Sequence, residues 1–256
     1  MNNPIAIHPL LSPYIKEIVV ISQHTLSPYT VYPGLYPVIG LQYEGKLAQV
    51  NKDRETSPLT WMGITGLLTS YKEFKALSPS TKTVLVKLYP WGIPKFFKEP
   101  ANLLSNQSLG LNELINEEKM NRLEEKIASA DSLSSMINSI QAFFIELYEA
   151  NSNYEAERRI TRLSQELSLN PDKSTIEEIA RHYGYSKRSL ERHFLSTIGL
   201  SPKKFMRSAR FQLVLSKLEA GASWSTIAND LNYYDQAHYI KEFREFSGLT
   251  PQQFRK

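Results

Sequence analysis

The chain of 256 residues contains no cysteine, which excludes disulfide scaffolds, thiol nucleophiles, thiolate zinc sites and cysteine-ligated clusters. Histidine is scarce, and the five residues at 8, 24, 182, 193 and 238 show no HxxxH or HxH spacing, so no metal site is expected. His182 and His193 read as helix-surface residues. There is no GxSxG, no P-loop and no GxGxxG, which leaves nucleophilic, nucleotide-hydrolysing and dinucleotide chemistry without a carrier. No catalytic residue and no cofactor is expected. No run approaches the ~18 apolar residues needed to span a bilayer. The opening Met1-Asn2-Asn3-Pro4 also lacks the basic and apolar regions of a signal peptide. A soluble protein of a reducing cytoplasm, without a membrane partner, is the expectation.

What is present is ordinary globular composition, 41% hydrophobic and 22% charged, at a length that suits two modest domains. The net charge of +4 is unevenly placed. Residues 171–256 hold 14 Lys/Arg against 9 Asp/Glu, while residues 1–170 hold 16 against 17. A basic minority domain on a neutral body points to a polyanion, with nucleic acid first.

An α+β chain is predicted. From Tyr14 to Tyr89, β-prone runs such as "IKEIVVIS", "YPVIGLQYEG", "LTWMGI" and "TKTVLVKLY" alternate with Pro, Gly and Ser clusters, the rhythm of a small antiparallel sheet or barrel. The β-rich part extends to about residue 100, and residues 110–170 read as helical. There Leu133, Met136, Ile137, Ile140, Phe143, Phe144 and Leu147 step by three and four behind a candidate N-cap at Asp131. This stripe suits either its own domain or a twin in a homodimer. A charged helix over roughly Tyr154 to Leu169 ends at Asn170-Pro171, and the boundary between the N-terminal domain (1–170) and the C-terminal domain (171–256) is placed there.

The C-terminal part says one thing twice. Ile179-Ala180-x3-Gly184-Tyr185 and Phe194-x4-Gly199-x-Ser201-Pro202-x2-Phe205 return as Ile227-Ala228-x3-Asn232-Tyr233 and Phe243-x4-Gly248-x-Thr250-Pro251-x2-Phe254. The offset is 48 residues in the first half and 49 in the second, so Tyr234-Asp235 stands against Ser186. Thr175 with Glu178 makes a capping box and Ser223 takes the equivalent N-cap place. Gly184 and Asn232 fall where a helix ends in the left-handed region, and Ser186 and Asp235 cap the helix that follows. Leu190, Phe194 and Ile198 share one face of that helix, as Tyr239, Phe243 and Phe246 do in the second copy. Gly199 and Gly248 then stop it, and Ser201-Pro202 and Thr250-Pro251 start the next. Each copy is a helix, a tight turn and a helix.

These residues resemble the AraC/XylS family of bacterial transcription regulators over roughly residues 171–256. The likeness is carried by "IARHYGYSKRSLERHF", "GLSP", the linking "RSARFQLVLSKL" and "IANDLNYYDQAHYIKEFREFSGLTPQQFR". Asn232 departs from the family's usual glycine, though asparagine adopts the same backbone. The N-terminal part looks like the sensor-type domains that precede this unit, a small β-barrel followed by helices, and "KLYPWGIPKFFKEPANLLSNQSLGLNELI" resembles one uncharacterised branch. The resemblance implies a non-enzymatic, sequence-specific DNA-binding transcription regulator. Its partner would be double-stranded promoter DNA, with RNA polymerase, a small-molecule effector and a second copy of the chain as further candidates.

A recognition helix meets base edges with the exposed residues of its N-terminal half. Matched to the family pattern, Arg188, Glu191, Arg192, Gln236, Ala237 and Lys241 are the base-reading candidates, since Arg suits guanine, Gln adenine and Glu cytosine. Ser186, Lys187, Lys203, Arg207, His238 and Thr250 are candidates for phosphate. Arg210 is read as either a DNA ligand or the partner of a carboxylate. The linking helix, from Pro202 to Gly221, is expected to run about 18 residues or ~27 Å, which sets the recognition helices near one DNA turn apart. Tyr32, Tyr36, Tyr43, Trp61 and Tyr89 either line an effector pocket or form core. The competing reading, a metal-dependent barrel enzyme fused to a DNA-binding module, needs a His/carboxylate cluster in residues 1–100, where only His8 and His24 are available.

Overall fold

A computed structural model describes residues 5–51, 53–154, 157–171, 174–231, 233 and 235–254. Among the described residues the N-terminal part supplies nine strands: β1 (Ile15–Gln23), β2 (Tyr29–Val31), β3 (Val38–Glu44), β4 (Leu47–Val50), β5 (Thr56–Pro58), β6 (Met62–Thr65), β7 (Lys72–Ala76), β8 (Thr81–Leu88) and β9 (Ser108–Gly110). They pair antiparallel in two sheets, ordered β1-β8-β3-β6-β9 and β2-β7-β4-β5. Of the two expected forms, sheet or barrel, the open form is found: among the described residues no ladder joins the two sheets into a closed barrel. The long strand β8 lies between β1 and β3, in the registers Val20↔Val84 and Ile39↔Val86. Its alternation puts Val84, Val86 and Leu88 on one buried face.

That face packs on helices. The short α1 (Gly92–Phe97) follows β8, and α2 (Glu117–Ala128) and α3 (Leu133–Ala150) follow β9. The N-cap of α3 is Ser132, whose hydroxyl accepts from the Ser135 N–H, one residue beyond the expected Asp131. The apolar stripe is spent inside its own domain. Met136, Ile140, Phe143, Phe144 and Leu147 join Ile18, Ile39, Leu41, Ile64 and Phe96 in the main core, and Leu133 stays 43% exposed.

The remaining helices are α4 (Arg158–Leu169), α5 (Ile176–His182), α6 (Lys187–Ile198), α7 (Pro202–Glu219), α8 (Trp224–Asp230), α9 (Gln236–Ser247) and α10 (Pro251–Phe254). They surround two cores. Ile160, Leu163 and Leu167 of α4 pack with Ile179, Leu190, Phe194, Ile198, Phe205 and Ala209, so α4 lies within the helical body although it precedes Pro171. Phe211, Val214, Ile227, Tyr239, Phe243 and Phe246 form the second core. Helix α7 runs for 18 residues and serves both.

The two parts of the chain are joined by side chains as well as by sequence. Leu35, Leu67 and Trp91 enter the first helical core. Tyr32 meets Phe211 and Phe254 at ring-centroid distances of 6.3 and 5.5 Å. The Gln212 amide donates to the Pro33 carbonyl at 2.5 Å. Among the described residues no helix is long and apolar enough to cross a membrane.

Candidate nucleic-acid interface

Each helix pair is built by short-range chemistry. In the first, Thr175 and Glu178 form the capping box of α5, with the Thr175 N–H donating to the Glu178 carboxylate at 2.8 Å. Gly184 takes φ +72° to reverse the chain, and the Ser186 hydroxyl accepts from the Ser189 N–H to start α6. In the second, Ser223 caps α8, and the Asp235 carboxylate accepts from the His238 N–H at 2.7 Å to start α9. Asn232 and Tyr234, the expected helix stop and the extra turn residue, lie outside the described residues. Gly199 and Gly248 end α6 and α9 at φ +101° and +74°, a region an L side chain rarely enters. Ser201 and Thr250 cap the helices that follow.

The inward faces carry the expected anchors: Leu190, Phe194, Ile198, Tyr239, Phe243 and Phe246 are all buried. On the outward faces Lys187, Arg188, Glu191 and Arg192 of α6 and Gln236, Ala237, His238 and Lys241 of α9 are all exposed. Three of these have side-chain neighbours within the chain: Lys187 Nζ pairs with Glu177 at 2.5 Å, an Arg192 guanidinium nitrogen lies 3.2 Å from His193 Nε2, and His238 Nε2 lies 4.0 Å from Glu242 with its ring against Tyr233. Lys203 is exposed on the first turn of α7.

Arg207 stands apart from the other expected phosphate ligands. Its Nε bonds Glu242 at 3.0 Å, its Nη2 bonds Glu245 at 2.5 Å, and its guanidinium lies over the Phe246 ring. Burial pulls its pKa down, but the two carboxylates outweigh that and raise it. Arg210 Nη1 reaches Glu242 at 3.4 Å, the carboxylate partnership that sequence left open. Glu242 itself is only 4% exposed and also accepts from the Tyr233 hydroxyl at 3.2 Å.

The first copy holds an equivalent cluster that sequence reasoning missed. Glu157, the residue before α4, accepts from the Tyr185 hydroxyl, bonds His193 Nδ1 at 3.0 Å and pairs with Arg159 at 2.9 Å. Partial burial opposes its charge, and the hydrogen bonds from Tyr185, His193 and Arg159 prevail, holding the carboxyl below its ordinary value. Nothing local could reveal it, since Tyr185 and His193 lie 28 and 36 residues away.

The five candidate pocket aromatics do not converge. Tyr36 and Tyr89 pack edge to face with ring centroids 5.9 Å apart, and Tyr89 stacks on Trp91, against the first helical core. Tyr32 packs against the second, while Tyr43 and Trp61 lean on the main core of the sheets. The N-terminal domain also touches both copies at the same turn. The Ser105 hydroxyl donates to the Gly199 carbonyl, and a Cβ on Gly199 would sit 3.1 Å from the Ala101 carbonyl oxygen. A Cβ on Gly248 would collide with the Tyr71 ring.

Two successive helix-turn-helix units joined by one long helix, mounted on a sheet domain, define a two-domain protein with a double helix-turn-helix module. Residues 179–256 match the helix-turn-helix domain family. The chain thus carries a helix-turn-helix domain in its C-terminal region. It is similar to the HTH-type transcriptional regulator RipA of Corynebacterium glutamicum, 32% identical over 100 residues that cover 39% of this chain and 30% of that protein. It is also similar to the uncharacterized HTH-type transcriptional regulator YidL of Escherichia coli, 27% identical over 156 residues, 58% of this chain and 52% of that one. Both relatives carry the name of transcriptional regulator, and the chain spans about a third to a half of their lengths. In fold it is similar to unsaturated fatty acid bound ToxT from Vibrio cholerae, with a TM-score of 0.50 at 13% identity, covering 99% of this chain and 96% of that one.

Proposed function

We propose that the chain is a sequence-specific DNA-binding transcription regulator that enters two successive major grooves with α6 and α9 and is modulated through its N-terminal domain. The observation that carries this reading is the pair of outward helix faces, each exposed behind a capped N-terminus and backed by a buried anchor face. Arg188, Glu191 and Arg192 read one half-element and Gln236, Ala237 and Lys241 the other. Ser186, Lys187, Lys203, His238 and Thr250 meet phosphate, whereas Arg207, held by two carboxylates, fastens α9 to α7. An 18-residue α7 is ~27 Å long, and with the flanking helices it sets the half-elements about 10–11 base pairs apart. The functional unit begins at Glu157, because α4 packs in the first helical core. The reading places the protein in the cytoplasm with the chromosome, and RNA polymerase and a second copy of the chain are its further partners.

Contacts at Gly199 and Gly248 support modulation, because the N-terminal domain rests on both units at matching positions. A small-molecule effector fits this arrangement, and the fold likeness to fatty-acid-bound ToxT makes an unsaturated fatty acid the first ligand to try. Thermal shift of the full chain is the check; an unmoved transition at saturating ligand removes that class of effector.

The main test is footprinting of duplexes selected from a random pool by the full chain. One asymmetric protected stretch with two contact clusters a turn apart is expected. Log affinity should fall linearly with log salt at a slope of about −0.9 per neutralised phosphate. Salt-insensitive binding, or a palindrome that needs two chains per element, contradicts the reading.

A further inference from the structure

The two outward faces differ in chemistry at matching positions. Where α6 presents Arg188 and Glu191, α9 presents Ala237 and Ile240 at the 49-residue offset. Ile240 is 36% exposed, one turn along from Ala237 on the same side of the helix. With Lys241, Arg244 and Glu245 these two line a shallow groove of about 630 Å³. Ile240 is not one of the side chains that pack the second helical core, which Tyr239 and Phe243 fill from the other side of α9.

The flanking charges favour a polyanion over an apolar protein partner. Lys241 and Arg244 are exposed, and neither has an ion-pair partner among the described residues. The one carboxylate at the rim, Glu245, is drawn aside by Arg207 at 2.5 Å, which removes the repulsion it would offer to phosphate. In the major groove the apolar group on a base edge is the C5-methyl of thymine. Gln236, at the first position of α9, suits adenine, so the polar and apolar groups of this face call for the same base pair.

We propose that Ala237 and Ile240 form a thymine-methyl-reading patch, so that the half-element met by α9 is rich in T·A pairs with their methyl groups seated against these side chains. This rests on the DNA-binding reading above and assigns to Ile240 a specificity role that the base-contact pattern did not include. The half-element under α6, read by two arginines and a glutamate, carries the G·C pairs.

The test uses the full chain and a duplex obtained by selection, with the α9 half-element identified as the one where Gln236→Ala relaxes preference. Replacing thymine by uracil there removes only the methyl group. Affinity of the unmodified protein should fall about fourfold per contacted methyl, the factor that burying one such group is worth. Ile240→Ser, a change at an exposed position, should show a smaller thymine-over-uracil preference than the unmodified protein, with only Ala237 left to meet the methyl groups. Uracil that is silent throughout the α9 half-element overturns the patch while leaving DNA reading intact, as does an equal uracil penalty in Ile240→Ser. If no duplex is selected at all, the regulator reading itself fails and the patch falls with it.

Discussion

The two helix-turn-helix copies share a frame and differ in wiring. In the first, the carboxylate of the fastening cluster sits just before α4, at Glu157, and its partner His193 is on α6. In the second the carboxylate is on α9, at Glu242, and its partners Arg207 and Arg210 are on α7. His193 and Glu242 occupy the same place in the repeat, and Tyr185 and Tyr233 each hydrogen-bond the carboxylate of their own copy. The frame is fixed by caps and glycines, so the ion pair that fastens it can run in either direction. The copies also differ in support: the first shares its core with Leu35, Leu67 and Trp91 of the N-terminal domain, and the second draws mainly on its own helices.

Core truncation would expose that difference most strongly. Phe194→Ala and Phe243→Ala should each cost about 3–5 kcal/mol, but Phe243→Ala should release the second copy alone. Variants retaining only Trp91 or only Trp224 report on the first and second cores separately. Denaturant curves that stay coincident in Phe243→Ala would show that the copies unfold as one.

The fastening clusters come next. Glu242→Ala leaves two arginines without their shared, buried carboxylate and should cost up to about 3 kcal/mol, the lower end for a broken buried pair because Arg207 is 35% exposed. Glu157→Ala, at a site 33% exposed, should cost under about 1 kcal/mol. Equal losses in chemical denaturation would erase the contrast. Cap removal is smaller still: Asp235→Ala and Ser186→Ala should each cost about 1 kcal/mol, with Asp235 the larger because its bond is shorter and charged.

The smallest effect is a pH dependence of the first copy. Glu157 has a lowered folded pKa, so its contribution is complete above the ordinary carboxylate value of about 4.3 and disappears as pH falls through the lower folded one. At the alkaline end Tyr183 is pushed up to about 12 by burial and by Glu166. Its contribution is complete below about pH 10 and is lost as pH rises from there toward the folded value. Trp91 fluorescence across both ranges, with Glu157→Gln and Tyr183→Phe as references, should show each loss removed by its own variant.

What was legible in the sequence follows the range of the interactions involved. Ser186, Gly199, Ser201 and their second-copy counterparts act on backbone within a few residues, so the helix-turn-helix frame and the span of α7 could be read directly. Strands β2, β5 and β9 have three residues each, too few for a period, and the pairing that leaves two sheets unclosed is set at long range. The place of α4 in the first core, the Glu157 cluster and the contacts of Tyr71 and Ser105 join residues far apart in the chain and leave no local pattern. Ile240 was visible as an apolar residue, but its exposure depends on how α9 rolls against Phe211 and Trp224.

Gly199 and Gly248 each answer to two constraints, a left-handed φ and a surface of the N-terminal domain pressed against them. A side chain at either position would be penalised on both counts. The outward residues between each cap and its glycine carry no such double obligation. On the DNA-reading proposal, drift in target sequence is thereby uncoupled from drift in architecture: exchanging a handful of exposed residues would change what is read, with the mounting of both helices inherited unchanged.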